Sequence, residues 1–271
     1  MAKNRIQDIK VSEYAMLIDL HSNQHMSAIA RDYVDGEHVE SHIHREAQLL
    51  YAATGLMRLV TVNGAWVIPP TRGVWIPPQL QHEIFMAGTV QMRTLFISPE
   101  VCPATLNGCC VLGIPPLLRE LILRAVQLDD GKLAELPEHP QFALLEQLIL
   151  LELTHLQQMP LHLPMPRDRR LQAICMALLQ NPEHSHSLED WAQQVGASSR
   201  TLTRLFTQEL EMSFQQWRQQ LRLTEALPRL LAGDSVSSVA HALGYSNTRA
   251  FSAMFSRLLG ETPRDYVKNI S

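Results

Sequence analysis

Between positions 26 and 98 apolar and polar residues fall in short runs, at 27–33, 47–51, 56–62, 65–68, 74–76, 83–87 and 90–97, each rich in β-branched or aromatic side chains. Such runs predict strands, and turn signals separate them; Asn63-Gly64 between two apolar runs is the strongest short hairpin signal available. Many short strands with no helix interleaved indicate a sandwich or barrel. From Pro116 the period changes. Leu117, Leu118, Leu121, Ile122 and Ala125 recur at helical spacing, and residues 142–157 predict a second helix. That helix is apolar on most sides through Leu144, Leu145, Leu148, Ile149, Leu150, Leu151, Leu153 and Leu156. A helix of this kind seeks burial on more than one face. Packing on its own barrel meets part of that demand, and a two-fold seam with a second copy meets it more fully.

The stretch Met159-Pro160-Leu161-His162-Leu163-Pro164-Met165-Pro166 interrupts this pattern. Its prolines remove backbone donors and keep the preceding residues out of the helical region, so it reads as a linker. Beyond it the chain repeats itself: Ala192 and Gly196 recur as Ala240 and Gly244, 48 residues on. In the first copy Ser187-Leu188-Glu189-Asp190 opens a helix with a capping arrangement. Trp191 and Val195 supply its buried face, and Gly196 permits the positive φ of a tight turn. A second helix, 199–210, buries Leu202, Leu205 and Phe206. Two helices crossing over a short glycine turn form a helix-turn-helix.

The second copy runs Val236, Val239, Ala240, Leu243, Gly244, then Phe251, Met254 and Phe255, with core positions one residue farther from the glycine. Its turn is therefore predicted to be one residue longer. Residues 213–232 predict a connecting helix of roughly 30 Å, close to the 34 Å or so between successive major-groove faces on one side of DNA. Pro228 inside it predicts a kink or interruption.

Composition adds little that the pattern lacks. At 271 residues, 46% apolar and 18% charged, the chain suits two domains and gives no case for disorder. Residues 1–166 carry 11 Lys/Arg against 17 Asp/Glu, a net of −6, and residues 167–271 carry 12 against 10, a net of +2. The asymmetry alone is too weak to argue for a polyanion partner. Lys3, Arg5, Asp8, Lys10, Glu13 and Asp19 leave no room for a signal-peptide core, which points to a cytoplasmic chain. The most apolar stretch, 142–156, is broken by Glu146 and Glu152 and is too short to span a bilayer, so no membrane partner is expected. Cys102, Cys109, Cys110 and Cys175 show no zinc-ribbon spacing. They read as reduced, partly buried thiols, with redox sensing by Cys109-Cys110 as the alternative.

The C-terminal motifs resemble the DNA-binding domain of the AraC/XylS family of bacterial transcription regulators. The resemblance rests on Ser187-Leu188, Ala192, Gly196, Leu202 and Phe206, then Val239-Ala240, Gly244-Tyr245, Phe251 and Phe255. It is closed by Gly260-Glu261-Thr262-Pro263-Arg264-Asp265-Tyr266. It covers about 167–271 and implies a module that reads two consecutive major-groove segments of double-stranded DNA, with RNA polymerase as a further partner. On the first recognition helix the face opposite the core carries Arg200, Thr201, Thr203, Arg204 and Gln208. Arg can grip guanine O6 and N7 with two hydrogen bonds, and Thr can meet a base edge or the thymine methyl. On the second, the outward set is Asn247, Thr248, Arg249, Ser252 and Ala253. The family commonly carries a long polar or basic residue where Ala253 stands, so fewer base contacts are expected there. Ser246, Asn247 and Arg257 are candidate phosphate ligands.

In the N-terminal half, Gly36, His42, His44, position 48 and Gly55 match the cupin spacing G-x5-H-x-H-x3-E-x6-G, except that Gln48 stands where the acid would be. Trp75-Ile76-Pro77-Pro78-Gln79-Leu80-Gln81-His82 resembles the second cupin motif. Alternate strand residues share a face, so His42 and His44 can both point into a barrel, with His82 approaching from a neighbouring strand. A divalent transition metal on His42, His44 and His82 is one reading. An effector patch of His42, His44, Gln48, Trp75 and His82 is another, and structural histidines are a third. Glu46, two residues early, is a candidate acid on the same strand face as Gln48.

The expected organisation is multidomain. An all-β cupin-like barrel at 1–111 binds a small-molecule effector, and a helical dimerisation segment at 112–158 forms a homodimer. A Pro-rich linker at 159–166 leads to an all-α domain at 167–271 with two helix-turn-helix units. The function read from this is sequence-specific transcription regulation without catalysis. The alternative is a metal-dependent cupin enzyme with an accessory helical domain, against which Gln48 argues.

Overall fold

The computed structural model describes residues 25–129 and 140–270. The charged opening segment used above to argue against a leader lies outside the described residues. The chain forms two compact units, Met1–Val62 with Trp66–Met159 and Asn63–Ala65 with Pro160–Ser271.

The first unit holds strands β1 Met26–Tyr33, β2 His38–His42, β3 Ala47–Thr61, all but the first two residues of β4 Gly64–Ile68, β5 Arg72–Ile76, β6 His82–Ile97, β7 Cys110–Gly113 and β8 Gln158–Met159. Two helices accompany them, α1 Pro116–Asp129 and α2 Pro140–Leu153. The strand order is β1-β6-β3-β5-β7-β8, with β2 also on β6 and β4 on β3. The runs expected at 47–51 and 56–62 are one strand, and those at 83–87 and 90–97 are another. The β3–β6 register shifts twice between Ala52 and Leu56. A bulge there breaks the apolar alternation while the ladder continues. The polar strand β2 was not expected, because His-Val-Glu-Ser-His lacks an apolar period. The second helix ends at Leu153, earlier than 157, and residues 112–113 and 158 lie in strands rather than in a helical segment.

Register assigns every side chain in this sheet to a face. Ser27, Phe96, Gln48 and Ile76 stand in one row across β1, β6, β3 and β5; Ala28, Leu95, Leu49, Trp75 and Cys110 form the next. Successive strand residues point to opposite sides, so the two rows face opposite ways. The second row packs with Leu118, Leu121, Ile122 and Ala125 of α1 and Phe142, Ile149 and Leu153 of α2. Two acids lie in that helical layer. Asp129 accepts a hydrogen bond from the Ala28 N–H and Glu146 from the His25 N–H at 3.2 Å. They satisfy donors near the start of a strand that ends the sheet. Burial pushes the Asp129 carboxyl up to about 6 and raises that of Glu146 as well.

The second unit is helical: α3 Arg169–Gln180, α4 Leu188–Gln194, α5 Ser199–Leu210, α6 Phe214–Leu231, α7 Val236–Ala242, α8 Thr248–Leu259 and α9 Pro263–Ile270. Asp168, Ser187, Ser198, Ser213, Ser235 and Asn247 cap six of these, each side chain accepting from a backbone N–H. The stretch read as a linker carries the last residue of β8 and a short strand, β9 His162–Pro164. It is tied down because a proline lacks a donor but keeps its acceptor: the buried Trp217 Nε1–H donates to the Pro164 carbonyl at 2.8 Å. Pro228 does not interrupt α6, which runs on to Leu231. Lying in the last turn, it costs the helix a single hydrogen bond.

Candidate functional site

In the first helix-turn-helix unit, Ser187 and Asp190 close a capping box at the start of α4. The turn passes through Gly196 at φ 64° and the second helix begins at Ser199. Leu202, Phe206 and Leu210 of α5 are buried with Trp191 and Ala192. Helical periodicity then forces Arg200, Thr203, Arg204 and Gln208 outward, where all four are exposed, while Thr201 is half-buried. The Thr203 hydroxyl donates to the Ser199 carbonyl at 2.9 Å. Its methyl and the remaining oxygen lone pairs stay free to meet a base edge.

In the second unit Ser235 caps α7, Gly244 takes φ 74° and α8 begins at Thr248. Its helix starts four residues after the glycine instead of three, which is the longer turn the core spacing predicts. Phe251, Met254, Phe255 and Leu259 face inward. Ser246, Asn247, Arg249 and Arg257 are exposed, and Thr248 and Ser252 half-buried. Asn247 caps the helix through the Ala250 N–H at 2.9 Å, and Arg257 donates to the Gln219 Oε1 at 2.8 Å. The connecting helix grips both units. Arg218 donates to the His186 carbonyl, and Arg222 donates to that of Pro182 while lying 5.0 Å over the Tyr245 ring. These anchoring arginines carry no motif and were missed.

The sheet-rich unit brings His42, His44 and His82 together, with one potential ligand atom from each lying within 4.8 Å of the others. His42 and His82 are directly paired across β2 and β6. His44 lies beyond the end of β2, so strand alternation is not what places its ring. Each ring is fixed at Nδ1 by a backbone carbonyl: His42 by Glu40 at 2.9 Å, His44 by Glu46 at 2.7 Å and His82 by Leu80 at 2.8 Å. Main-chain anchors leave no trace in side-chain identity, and no sequence pattern could have found them. The Gln48 Oε1 lies 3.0 Å from the His44 Nε2. The His42 and His82 Nε2 atoms are buried without hydrogen-bond partners. Burial lowers the pKa of His42 and drives that of His82 down to about 3, so both rings are neutral at physiological pH. Neutral imidazoles held at Nδ1 by acceptors are the form that ligates a divalent transition metal.

Two expectations fail here. Trp75 stands in the row that packs beneath the helices, opposite to the Gln48 face, and belongs to the core rather than to the histidine cluster. Glu46 is not part of the histidine group and contributes its main chain instead. The cysteines are free, and burial pushes Cys102 and Cys110 up to about 11, far from a reactive thiolate.

Paired, capped helix-turn-helix units with basic outward faces define a DNA-binding transcription regulator. A family described as "Helix-turn-helix domain" matches residues 191–269. The HTH-type transcriptional regulator NimR of Escherichia coli (strain K12) is 37% identical over 232 residues, covering 85% of this chain and 82% of that protein. The HTH-type transcriptional regulator RipA of Corynebacterium glutamicum is 35% identical over 103 residues, 38% of this chain and 31% of its own. Fatty-acid-bound ToxT from Vibrio cholerae is a solved structure with 10% identity and a TM-score of 0.37, covering 91% of this chain and 96% of that one. The chain belongs to the AraC/XylS family of transcription regulators. Among the described residues no helix is long and apolar enough to cross a membrane.

Proposed function

We propose that this regulator acts in the cytoplasm. Its C-terminal unit places α5 and α8 in adjacent major grooves, and its N-terminal unit, read as a cupin-like barrel, holds a small-molecule effector. The observation that carries the DNA reading is the duplicated capped turn with Arg200 and Arg204 exposed on the recognition helix. Arg200, Thr201, Thr203, Arg204 and Gln208 serve one groove. Ser246, Asn247, Thr248, Arg249, Ser252 and Arg257 serve the next, with more of the contact directed at phosphates. Effector binding is supported by buried polar atoms without partners on the Gln48 face: the Gln48 Nε2, Thr94 Oγ1 and Ser27 Oγ. A buried donor or acceptor left alone costs about 1–3 kcal/mol, and a polar ligand would satisfy it.

Footprinting of the full chain on genomic DNA, with and without candidate metabolites, tests this. Discrete protected sites whose occupancy changes with one metabolite are expected, and protection of none in any condition would defeat the reading.

The homodimer is assigned to α2. Leu144, Leu148 and Leu151 are 62%, 47% and 56% exposed and recur at the four-then-three spacing of a coiled-coil seam. A second copy is the fitting occupant, since that spacing is self-complementary. Sedimentation of Leu148→Glu should give a monomer at concentrations where the unaltered chain is a dimer. An enzyme built on the same histidines is not favoured, because the family is one of regulators and Gln48 offers no carboxylate.

A further inference from the structure

Three residues from the first half of the chain fold with the C-terminal unit. Asn63–Ala65 belong to the tip of the hairpin between β3 and β4, and β4 pairs there with β9. The Asn63 carbonyl accepts from the Met165 N–H at 3.4 Å, and the His162 ring makes a hydrogen bond with the Asn63 main chain. Burial drives the His162 pKa down to about 4, so the ring is neutral at physiological pH and has a single N–H to give. Gly64 lies very close to β9. A Cβ there would sit 2.6 Å from the Leu163 carbonyl oxygen and 3.0 Å from the Pro164 Cα, and its φ of 143° favours glycine.

Strand β9 is in turn fastened to the first recognition helix. The Leu163 side chain is buried with Leu202, Phe206 and Leu210 of α5. Just beyond β9, the Arg167 and Asp168 N–H groups both donate to the Glu209 Oε2 in the last turn of α5, at 2.7 and 3.1 Å. A helix-turn-helix is built of two helices and a turn, so this attachment is an addition to the motif. One short strand thus holds both the hairpin tip and the helix that carries Arg200 and Arg204.

We propose that Asn63–Ala65 and Glu209 are positioning residues for DNA recognition: the docked tip holds β9, β9 holds α5 in its reading pose, and release of the tip lowers operator affinity. The tip is continuous in sequence with β3, the strand that carries Gln48. On the regulator reading above, on which this role rests, the tip is the element through which an event in the sheet reaches α5. Coupling of this kind needs two states that bind DNA unequally. Tip docked and tip released are those two states.

The test uses the full chain and a duplex carrying a site that the unaltered chain protects in genomic footprinting. Gly64→Ala strains the junction from the hairpin side, and His162→Ala unties it from the β9 side. Each should lower affinity for that duplex about 10-fold, a size common for residues on a coupling route. The salt slope should stay that of the unaltered chain, because no phosphate contact is lost. Hydrogen exchange at the Arg167 and Asp168 N–H groups should rise in both variants, while protection kept along β3 and β6 shows that the sheet is folded. Glu209→Ala should also lower affinity, although removing an acid from the recognition helix would by charge alone raise it. Glu209→Gln keeps an acceptor oxygen and should restore it. Gly64→Ala combined with Glu209→Ala should lose about 10-fold, not the roughly 100-fold of two independent sites. Wild-type affinity in both Gly64→Ala and His162→Ala, tighter binding in Glu209→Ala, or a loss of about 100-fold in the double variant would each overturn the proposal. An unaltered chain that protects no site sinks the regulator itself, and protection that survives every variant unchanged sinks the role of the tip alone.

Discussion

The two helix-turn-helix units share a scaffold and differ in what they offer to DNA. Each has a serine-capped first helix, a glycine at positive φ and a second helix with buried Phe. The outward faces part company. On α5, Arg200, Thr203, Arg204 and Gln208 are all exposed, and neither arginine forms an ion pair or hydrogen bond with the described residues. On α8 the corresponding surface includes the exposed Ala250 and Ala253, Asn247 is engaged as a cap, and Arg257 is held by Gln219. Arg249 is the exposed cation there without such a partner. Under the proposed DNA reading this difference assigns base readout to the first unit and positioning to the second.

The largest difference should appear in stability, at the two glycines. A Cβ at Gly244 would sit 2.6 Å from the Glu183 carbonyl oxygen, whereas one at Gly196 would meet nothing within 4 Å. Both positions have positive φ, which costs a non-glycine residue roughly 1–2 kcal/mol. At Gly244 a backbone shift adds about 1–3 kcal/mol for overpacking. Urea melts should therefore rank Gly244→Ala well below Gly196→Ala. Equal losses would mean that the 181–186 loop yields freely and does not brace the second turn.

Binding comes next. Arg204→Ala should weaken the cognate site by about 1–3 kcal/mol and relax preference at a single base pair. Titration against a set of single-base variants checks both effects. A loss of the same size at every variant would move Arg204 from readout to phosphate contact and blur the contrast between the units.

Much of this contrast is visible in the sequence, because helix caps, turn glycines and buried aromatics are local signals. The extra residue in the second turn follows directly from the offset of Phe251 and Phe255. Features that depend on distant main chain are not visible. The imidazoles of His42, His44 and His82 are oriented by carbonyls, and the sheet face of Trp75 follows from its pairing with Leu49 on a strand distant in sequence. Glu146 was legible only as a break in an apolar run, yet it is buried and receives the His25 N–H.

The smallest effect sharpens the comparison most. If α8 positions rather than reads, Arg249→Ala should weaken operator and unrelated DNA alike. The slope of log K against log salt should then fall by about 0.9, one phosphate contact's worth. Arg204→Ala at a base edge should lower operator affinity far more than affinity for unrelated DNA. Parallel salt titrations of the two variants on both DNAs give four slopes and four affinities. Sequence-dependent loss in Arg249→Ala would show that α8 reads a base through its lone free arginine. The second unit would then differ from the first in the number of bases read and not in kind.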